Sequence, residues 1–254
     1  YAGGHGMRYE DFLVSAETAT PILCHPAFTL GERCLKAVQA TRNAVGTNTN
    51  LGMVLLFAPI ICAAQQGAAP NAFATGISRA IFSAKPSDVA QIFAAIVLAN
   101  PGGLGQAPAH DVHSEPDCTL LEAMSASADS DRIASQYATA YKDLFAIGLP
   151  ALGRYSTGGI GVEWATVYCY LRFLASFPDS HIQRKHGSQI AAQVSQRAEA
   201  ALAELEQHND PGTKTSLLLG LDREWKDLGI NPGTSADLTA ASLLLYHLGV
   251  VSRD

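Results

Sequence analysis

Thr47-Asn48-Thr49-Asn50-Leu51-Gly52 runs directly into Met53-Val54-Leu55-Leu56-Phe57-Ala58-Pro59-Ile60-Ile61-Cys62. Four small hydrogen-bonding side chains thus precede a helix-like apolar segment. Thr and Asn suit a helix N-cap because their oxygens accept from the unpaired amides of the first turn. One cap meets that need. Four leave spare donors and acceptors at a helix N-terminus, where the dipole and free N–H groups favour an anion such as phosphate. Asn48 and Asn50 offer both a donor and an acceptor, suited to sugar hydroxyls or phosphate oxygens. Gly52 allows close backbone approach. The same stretch also reads as an over-polar turn. Its apolar tail is shorter than the roughly 18 residues a membrane helix needs. Pro59 interrupts it, so the tail reads as a buried core helix.

Helical periodicity continues on both sides. Phe12, Leu13, Ala16, Ala19 and Leu23 space as one helix face, and Leu35, Val38 and Arg42 as a second. Val89, Ile92, Phe93, Ile96 and Val97 form a stripe that Ser87 can cap, and Ile133, Tyr137, Tyr141, Leu144 and Phe145 form another. Val162 to Phe177 and Ile190 to Leu205 read as long helices, and Ser242 to Val250 closes the chain. Runs of alternating β-branched residues are missing. The sequence therefore predicts an all-α protein, a single compact domain over residues 1–254 with roughly ten to twelve helices of ordinary length. Connections are expected at His110 to Asp117, Arg154 to Gly159, Pro178 to Ser188, His208 to Thr215 and Gly229 to Asp237, where polar residues concentrate.

With 254 residues, 16% charged, and a net charge of −6, the chain does not suit an extended nucleic-acid surface. Neither nucleic acid nor membrane is expected as a partner. The cysteines, Cys24, Cys34, Cys62, Cys118 and Cys169, are odd in number and widely spaced. They suggest neither a zinc knuckle nor a disulfide framework, and so a reducing, cytoplasmic compartment. No signal-peptide pattern opens the chain. Tyr1 is not an initiator methionine, which suggests a trimmed product. Apolar Ala-rich helices are compatible with a homodimer.

Three further constellations could carry chemistry. In Asp179-Ser180-His181-Ile182-Gln183-Arg184-Lys185-His186-Gly187, Arg184 and Lys185 suit a polyphosphate, and Asp179 suits Mg²⁺ or general-base work. The segment reads equally as a solvated helix end with Gly187 just beyond it. In Asn231-Pro232-Gly233-Thr234-Ser235-Ala236-Asp237-Leu238, Thr234 or Ser235 can cap the last helix and Asp237 falls in its first turn. That turn is either a plain capped start or a second anion or metal site. Asp111, Glu115, Asp117, Glu122, Asp129 and Asp131 supply hard oxygen ligands suited to Mg²⁺ bound with a nucleotide. His110-Asp111 also echoes the metal-binding doublet of all-α phosphohydrolases. There is no Walker loop, and Gly102-Gly103-Leu104-Gly105 follows a helix-like segment.

Taken together, these segments resemble the triphosphoribosyl-dephospho-CoA synthase family. The likeness rests on Thr47–Gly52 with its apolar tail, Asp179–Gly187, and Asn231–Leu238 with Leu221-Asp222-Arg223-Glu224 ahead of it. Gly103-Leu104-Gly105, Asp111-Val112, Thr119-Leu120-Leu121-Glu122-Ala123-Met124 and Asp131-Arg132-Ile133-Ala134-Ser135-Gln136-Tyr137 extend it over most of the chain in order. The resemblance implies an all-α fold. It also implies an enzyme that joins the ribose triphosphate part of ATP to the 2′-hydroxyl of 3′-dephospho-CoA and releases adenine, with small-molecule nucleotide and cofactor-precursor substrates.

The implied roles are Asp179 or Asp237 as base or Mg²⁺ ligand, with Asp111 a further metal ligand. Arg184 and Lys185 would hold phosphates, Asn48 and Asn50 would orient ribose or phosphate, and Ser235 would give a helix-start contact. Thr47, Thr49, Gly52 and Gly233 would complete the nucleotide-binding wall. Two departures qualify the match. Where the citrate-lyase branch of the family resembles Gly-Val-Asn-Thr-His-Lys-Gly, the His and Lys places here hold Asn50 and Leu51. This form resembles a divergent branch of archaea and of bacteria using methanopterin-type cofactors, so an acceptor from methanopterin or methylofuran assembly is the alternative. A Lys-Pro-Gly loop expected before His5–Arg8 is missing, as if an N-terminal segment of the family were absent. A metal-dependent phosphohydrolase and a non-catalytic nucleotide-binding protein are the remaining readings.

Overall fold

A computed structural model describes residues 6–101, 111–157 and 161–250. Among these residues thirteen α-helices and no strands are found, one helix beyond the expected range. The first five are α1 (Tyr9–Leu23), α2 (Leu30–Val45), α3 (Leu51–Gln65), α4 (Phe73–Phe82) and α5 (Pro86–Ala99). Then come α6 (Leu120–Ser127), α7 (Arg132–Ala138), α8 (Leu149–Thr157) and α9 (Val162–Ser176). The last four are α10 (Ser180–His186), α11 (Ser188–Gln207), α12 (Pro211–Asp227) and α13 (Gly233–His247).

The apolar tail of the opening motif is α3, and it is buried on nearly every side, from Leu51 through Ala63. It packs against α2, α4 and α13, so it runs through the middle of the core. Pro59 removes the amide that would have bonded to the carbonyl one turn back. That carbonyl, Leu55 O, accepts instead from the buried Tyr137 hydroxyl at 2.6 Å, and the next, Leu56 O, accepts from Tyr141 at 3.2 Å. The proline that interrupts the apolar run is thus the point where Tyr137 of α7 attaches to α3. No single described helix is long and apolar enough to cross a membrane.

The structure corrects several boundaries. The stripe from Ile133 to Phe145 is not one helix. Helix α7 ends at Ala138, Ala140 and Tyr141 take left-handed φ of 54° and 63°, and a π-helical turn follows at Leu144–Gly148. A buried polar network holds the break. Arg132 donates twice to Asp143, at 2.7 and 2.9 Å, and Gln136 bridges the same carboxylate and its backbone. Satisfying these groups outweighs continuing the helix. The N-cap of α5 is Lys85, not Ser87. The expected connection over 178–188 contains α10, and that over 208–215 gives way to α12 at Pro211, where the Asp210 carboxylate accepts from Thr213 N at 2.7 Å. Helix α8 extends through Thr157, into the connection expected from Arg154.

Candidate active site

The first turns of α3 and α13 approach each other at a cavity of about 330 Å³. Helices α7 and α10 close it from the polar side. Its apolar wall is Leu51, Leu55, Phe93, Ile96, Val112, Ala123, Met124 and Ile133, and its polar wall is Asn48, Asp111, Asp131, His181, Arg184, Thr234 and Asp237. An apolar pocket with a few convergent polar groups is the usual form of a small-molecule site. Two helix N-termini of ordinary length add partial positive charge to it.

The motif before α3 divides its four polar residues between two jobs. Asn48 lines the cavity, and its Oδ1 accepts from Leu51 N at 3.1 Å, so it caps α3. Thr49 and Asn50 point into the protein. Thr49 shares a hydrogen bond with Ser15 at 2.6 Å, tying α1 to the turn, and Asn50 donates to Thr41 of α2 at 2.9 Å. Thr47 is half-buried and outside the cavity wall. Gly52 lines the cavity for a steric reason: a Cβ on it would fall 2.0 Å from Asp237 Oδ2. That carboxylate also receives the Met53 N–H, so Asp237, in the first turn of α13, caps α3 from across the interface.

Asp179 does a related job in a closed setting. It is fully buried. Its Oδ1 accepts from His181 N at 2.9 Å and Ile182 N at 3.2 Å, capping α10. Its Oδ2 accepts from Ser235 N at 2.7 Å and Ser235 Oγ at 2.8 Å, capping α13. Neither Thr234 nor Ser235 is the cap of its own helix; the N-cap is Pro232, which has no side chain able to accept. Asp179 and Ser235 lie outside the cavity wall, and all four acceptor directions of the carboxylate are taken. The expectation that Asp179 ligates a metal or acts as base does not fit that saturation. Thr234, beside it, bonds to Ser180 Oγ at 2.9 Å and accepts from His181 N at 3.2 Å. Gly233 lets the His181 ring pack closely, since a Cβ there would meet Nδ1 at 3.3 Å.

Electrostatics separate the two carboxylates further. Burial pushes Asp179 up from the ordinary carboxylate range, against the pull of its hydrogen bonds from Ser235, Ile182 and His181. Asp237 is pushed well above that range, first by desolvation, then by the charges of Asp179 and Asp131; Met53 N–H and Arg184 pull the other way. Asp237 nevertheless keeps accessible surface, at the cavity it lines. It is thus a carboxyl group poised to hold a proton and reachable by a ligand.

Arg184 faces the same space from α10 and pairs with Asp131 Oδ2 at 2.6 Å. Asp131 Oδ1 caps α7 through Ile133 N at 2.8 Å and Ala134 N at 3.1 Å, so the pair fixes α10 against α7. Lys185 is exposed and outside the wall. Asp111 lines the cavity and bonds to His113 through N and Nδ1, both at 2.8 Å. His110 and Gly102–Gly105 lie outside the described residues. Among the described residues no group of three or more His, Cys, Asp and Glu is arranged to hold a metal ion, and Asp111 and Asp179 do not form one donor set. Sequence reasoning offered Asp131 only as one of six acidic metal-ligand candidates, and gave His181 and Thr234 no contact with a ligand. An aspartate directly before Arg132-Ile133-Ala134 is a readable N-cap, but its pairing with Arg184, 53 residues away, is not.

This geometry belongs to a chain whose full length, residues 1–254, matches the model of the ATP:dephospho-CoA triphosphoribosyl transferase family. The chain belongs to that family. It is accordingly a transferase that acts on ATP as a pentosyl donor. Among solved structures it is similar to an Archaeoglobus fulgidus protein provisionally described as a triphosphoribosyl-dephospho-CoA synthase. The two are 25% identical, with a TM-score of 0.76 over 97% of this chain and 100% of the other. No curated protein sequence is matched.

Proposed function

We propose that the cavity between α3 and α13 transfers the triphosphoribosyl group of ATP to an acceptor hydroxyl and releases adenine, with Asp237 as the general base. The observation that carries this reading is Asp237 itself, a cavity-lining carboxyl group whose proton affinity is raised by burial and neighbouring charge. A base near neutral proton affinity is the most effective kind. The acceptor oxygen bonds to C1′ of the ATP ribose as the C1′–N9 bond breaks. The hydroxyl proton passes to Asp237, and the leaving adenine takes up a proton in exchange. The transition state is oxocarbenium-like, as in glycoside cleavage, and the adjacent carboxylates Asp111 and Asp131 favour its positive charge. The helix starts of α3 and α13, with Arg184, receive phosphate oxygens; Asn48 orients the ribose.

Mg²⁺ needs only one or two protein carboxylates when it arrives on substrate phosphates. Asp111 lines the cavity with carboxylate oxygens of the required hard type and would hold the ion. When bound, the ion neutralises triphosphate charge. Asp179 acts as a positioning residue, holding α10 and α13, and therefore Arg184 and Asp237, at fixed separation.

The acceptor expected from the family is 3′-dephospho-CoA. Leu51 favours a second acceptor. It lines the cavity at the place where the citrate-lyase branch resembles a lysine, so this wall is apolar where that branch would carry a cation. A pterin or furan intermediate of one-carbon cofactor assembly suits such a wall. Incubation with ATP, Mg²⁺ and 3′-dephospho-CoA, followed by mass spectrometry, tests the reading. Adenine and a triphosphoribosyl adduct are expected; adenine with a pterin or furan acceptor alone selects the second acceptor. Free phosphate without adenine, under either condition, contradicts the transfer.

A further inference from the structure

A second cavity, of about 510 Å³, lies at the other end of α3. Leu51 and Gly52 face the first cavity and Cys62 and Gln65 face the second, so the two are roughly 20 Å apart along the helix. We propose that this second cavity binds a small oxyanion of the phosphate class, gripped by Arg33 from within and Lys85 at its rim.

Arg33 lines the cavity and is only 2% exposed. Its Nε donates to Phe28 O at 3.0 Å, one terminal nitrogen donates to Leu23 O, and the other donates to Gln65 Oε1 at 2.7 Å. All three acceptors are neutral, and among the described residues Arg33 has no carboxylate partner. A buried charge without a counter-ion is costly. The carbonyl at the end of α1 supplies part of a negative charge, on the order of half a unit for the whole helix terminus. The full negative charge on the same cavity wall, Asp88, does not bond to the guanidinium.

The one carboxylate on the cavity wall is already committed. Asp88, 3% exposed, accepts from Gly31 N at 2.9 Å through Oδ1 and from Lys85 N at 2.8 Å through Oδ2. It therefore binds two helix starts rather than the guanidinium. Lys85 is exposed and forms no ion pair among the described residues. The lining thus carries two cations against one anion. Unused guanidinium N–H groups and the ammonium suit the several oxygens of a phosphate. Thr29 lines the same space with a further hydroxyl, whereas the Ser83 hydroxyl already donates to Ala80 O at 3.1 Å. The first cavity has the opposite balance, with Asp111, Asp131 and Asp237 against Arg184. A phosphate that binds without a metal ion is therefore expected at the second.

The test is calorimetric titration of the full chain with inorganic phosphate, pyrophosphate and ribose 5-phosphate, without divalent metal and at constant ionic strength. A saturable isotherm is expected with the unaltered protein. K85E, which alters only the rim, should weaken it at least about fivefold, from reversal of one charge at close range. R33K removes the planar fork and should also weaken binding; its thermal unfolding is measured alongside, so a destabilised variant is recognised and K85E then decides. R184Q, which alters only the first cavity, should leave the isotherm unchanged. Binding by phosphate and pyrophosphate alone marks a free inorganic ligand; tighter binding of ribose 5-phosphate marks a phosphate ester. No saturable binding, binding unchanged in K85E, or binding lost in R184Q overturns the proposal.

Discussion

Two junctions at the start of α13, one at Ser235 and one at Asp237, use an aspartate in opposite ways. At the junction of α10 and α13 the Asp179 carboxylate is saturated by four donors and sealed from the cavity. At the junction of α13 and α3 the Asp237 carboxylate caps one amide and turns the rest of its surface to the cavity. Burial raises the proton affinity of both. What differs is the number of acceptor positions left over. A carboxylate whose acceptor sites are filled by backbone amides holds helices; one with sites to spare can take a proton from a ligand.

Substitutions at the two positions should separate these roles. Asp179→Ala should lower stability by about 3 kcal/mol, because two helix caps are lost and a buried serine hydroxyl is orphaned. Chemical denaturation reads this directly; a loss under 1 kcal/mol would mean that the junction is held by something else. Asp237→Asn should cut turnover at least about 100-fold, equivalent to about 2.7 kcal/mol, while leaving unfolding temperature at or above that of the unaltered protein. Adenine release by chromatography is the readout, and near-normal turnover would move the base elsewhere. Gly52→Ala comes next. In a helix this change normally stabilises by about 0.5–1 kcal/mol, but here the Cβ would meet Asp237 Oδ2 at 2.0 Å. A net destabilisation of about 1–2 kcal/mol with a loss of activity is expected; a gain in stability with full activity would show that the contact yields freely.

A smaller effect lies in pH. Asp237 binds its proton more tightly folded than unfolded, so the native state carries more protons than the unfolded chain between the two values. Stability from this group is therefore present below the unfolded carboxylate range and is lost as pH rises through the raised folded value. Asp237→Asn should flatten that decline. Denaturation midpoints measured from mildly acidic to neutral pH, with identical slopes in the two proteins, would contradict it.

Much of the helical frame was legible because it rests on local spacing. The apolar run from Met53 to Ala64 and the stripe over Val89–Val97 each declare a helix whatever surrounds them. The break after Ala138 was not legible, because Tyr137 and Tyr141 keep helical spacing while their hydroxyls bond to α3, more than 80 residues away in sequence. The site divides likewise. Its segments could be found from residue type, and Asn48, Gly52, Arg184 and Asp237 do meet at one cavity. Which polar residue in each segment faces the cavity depends on partners distant in sequence: Thr41 for Asn50, Ser15 for Thr49, Ser235 for Asp179. No local pattern contains those pairings.

The division of labour between Asp179 and Asp237 is tested most directly by the pH dependence of adenine release. With saturating ATP and acceptor, turnover of the unaltered protein should rise with pH through an inflection above the ordinary carboxylate range. Asp237→Asn should lack that inflection, and Asp179→Asn, where enough of it folds, should keep it. An inflection that persists in Asp237→Asn, or that disappears only in Asp179→Asn, would contradict the assignment.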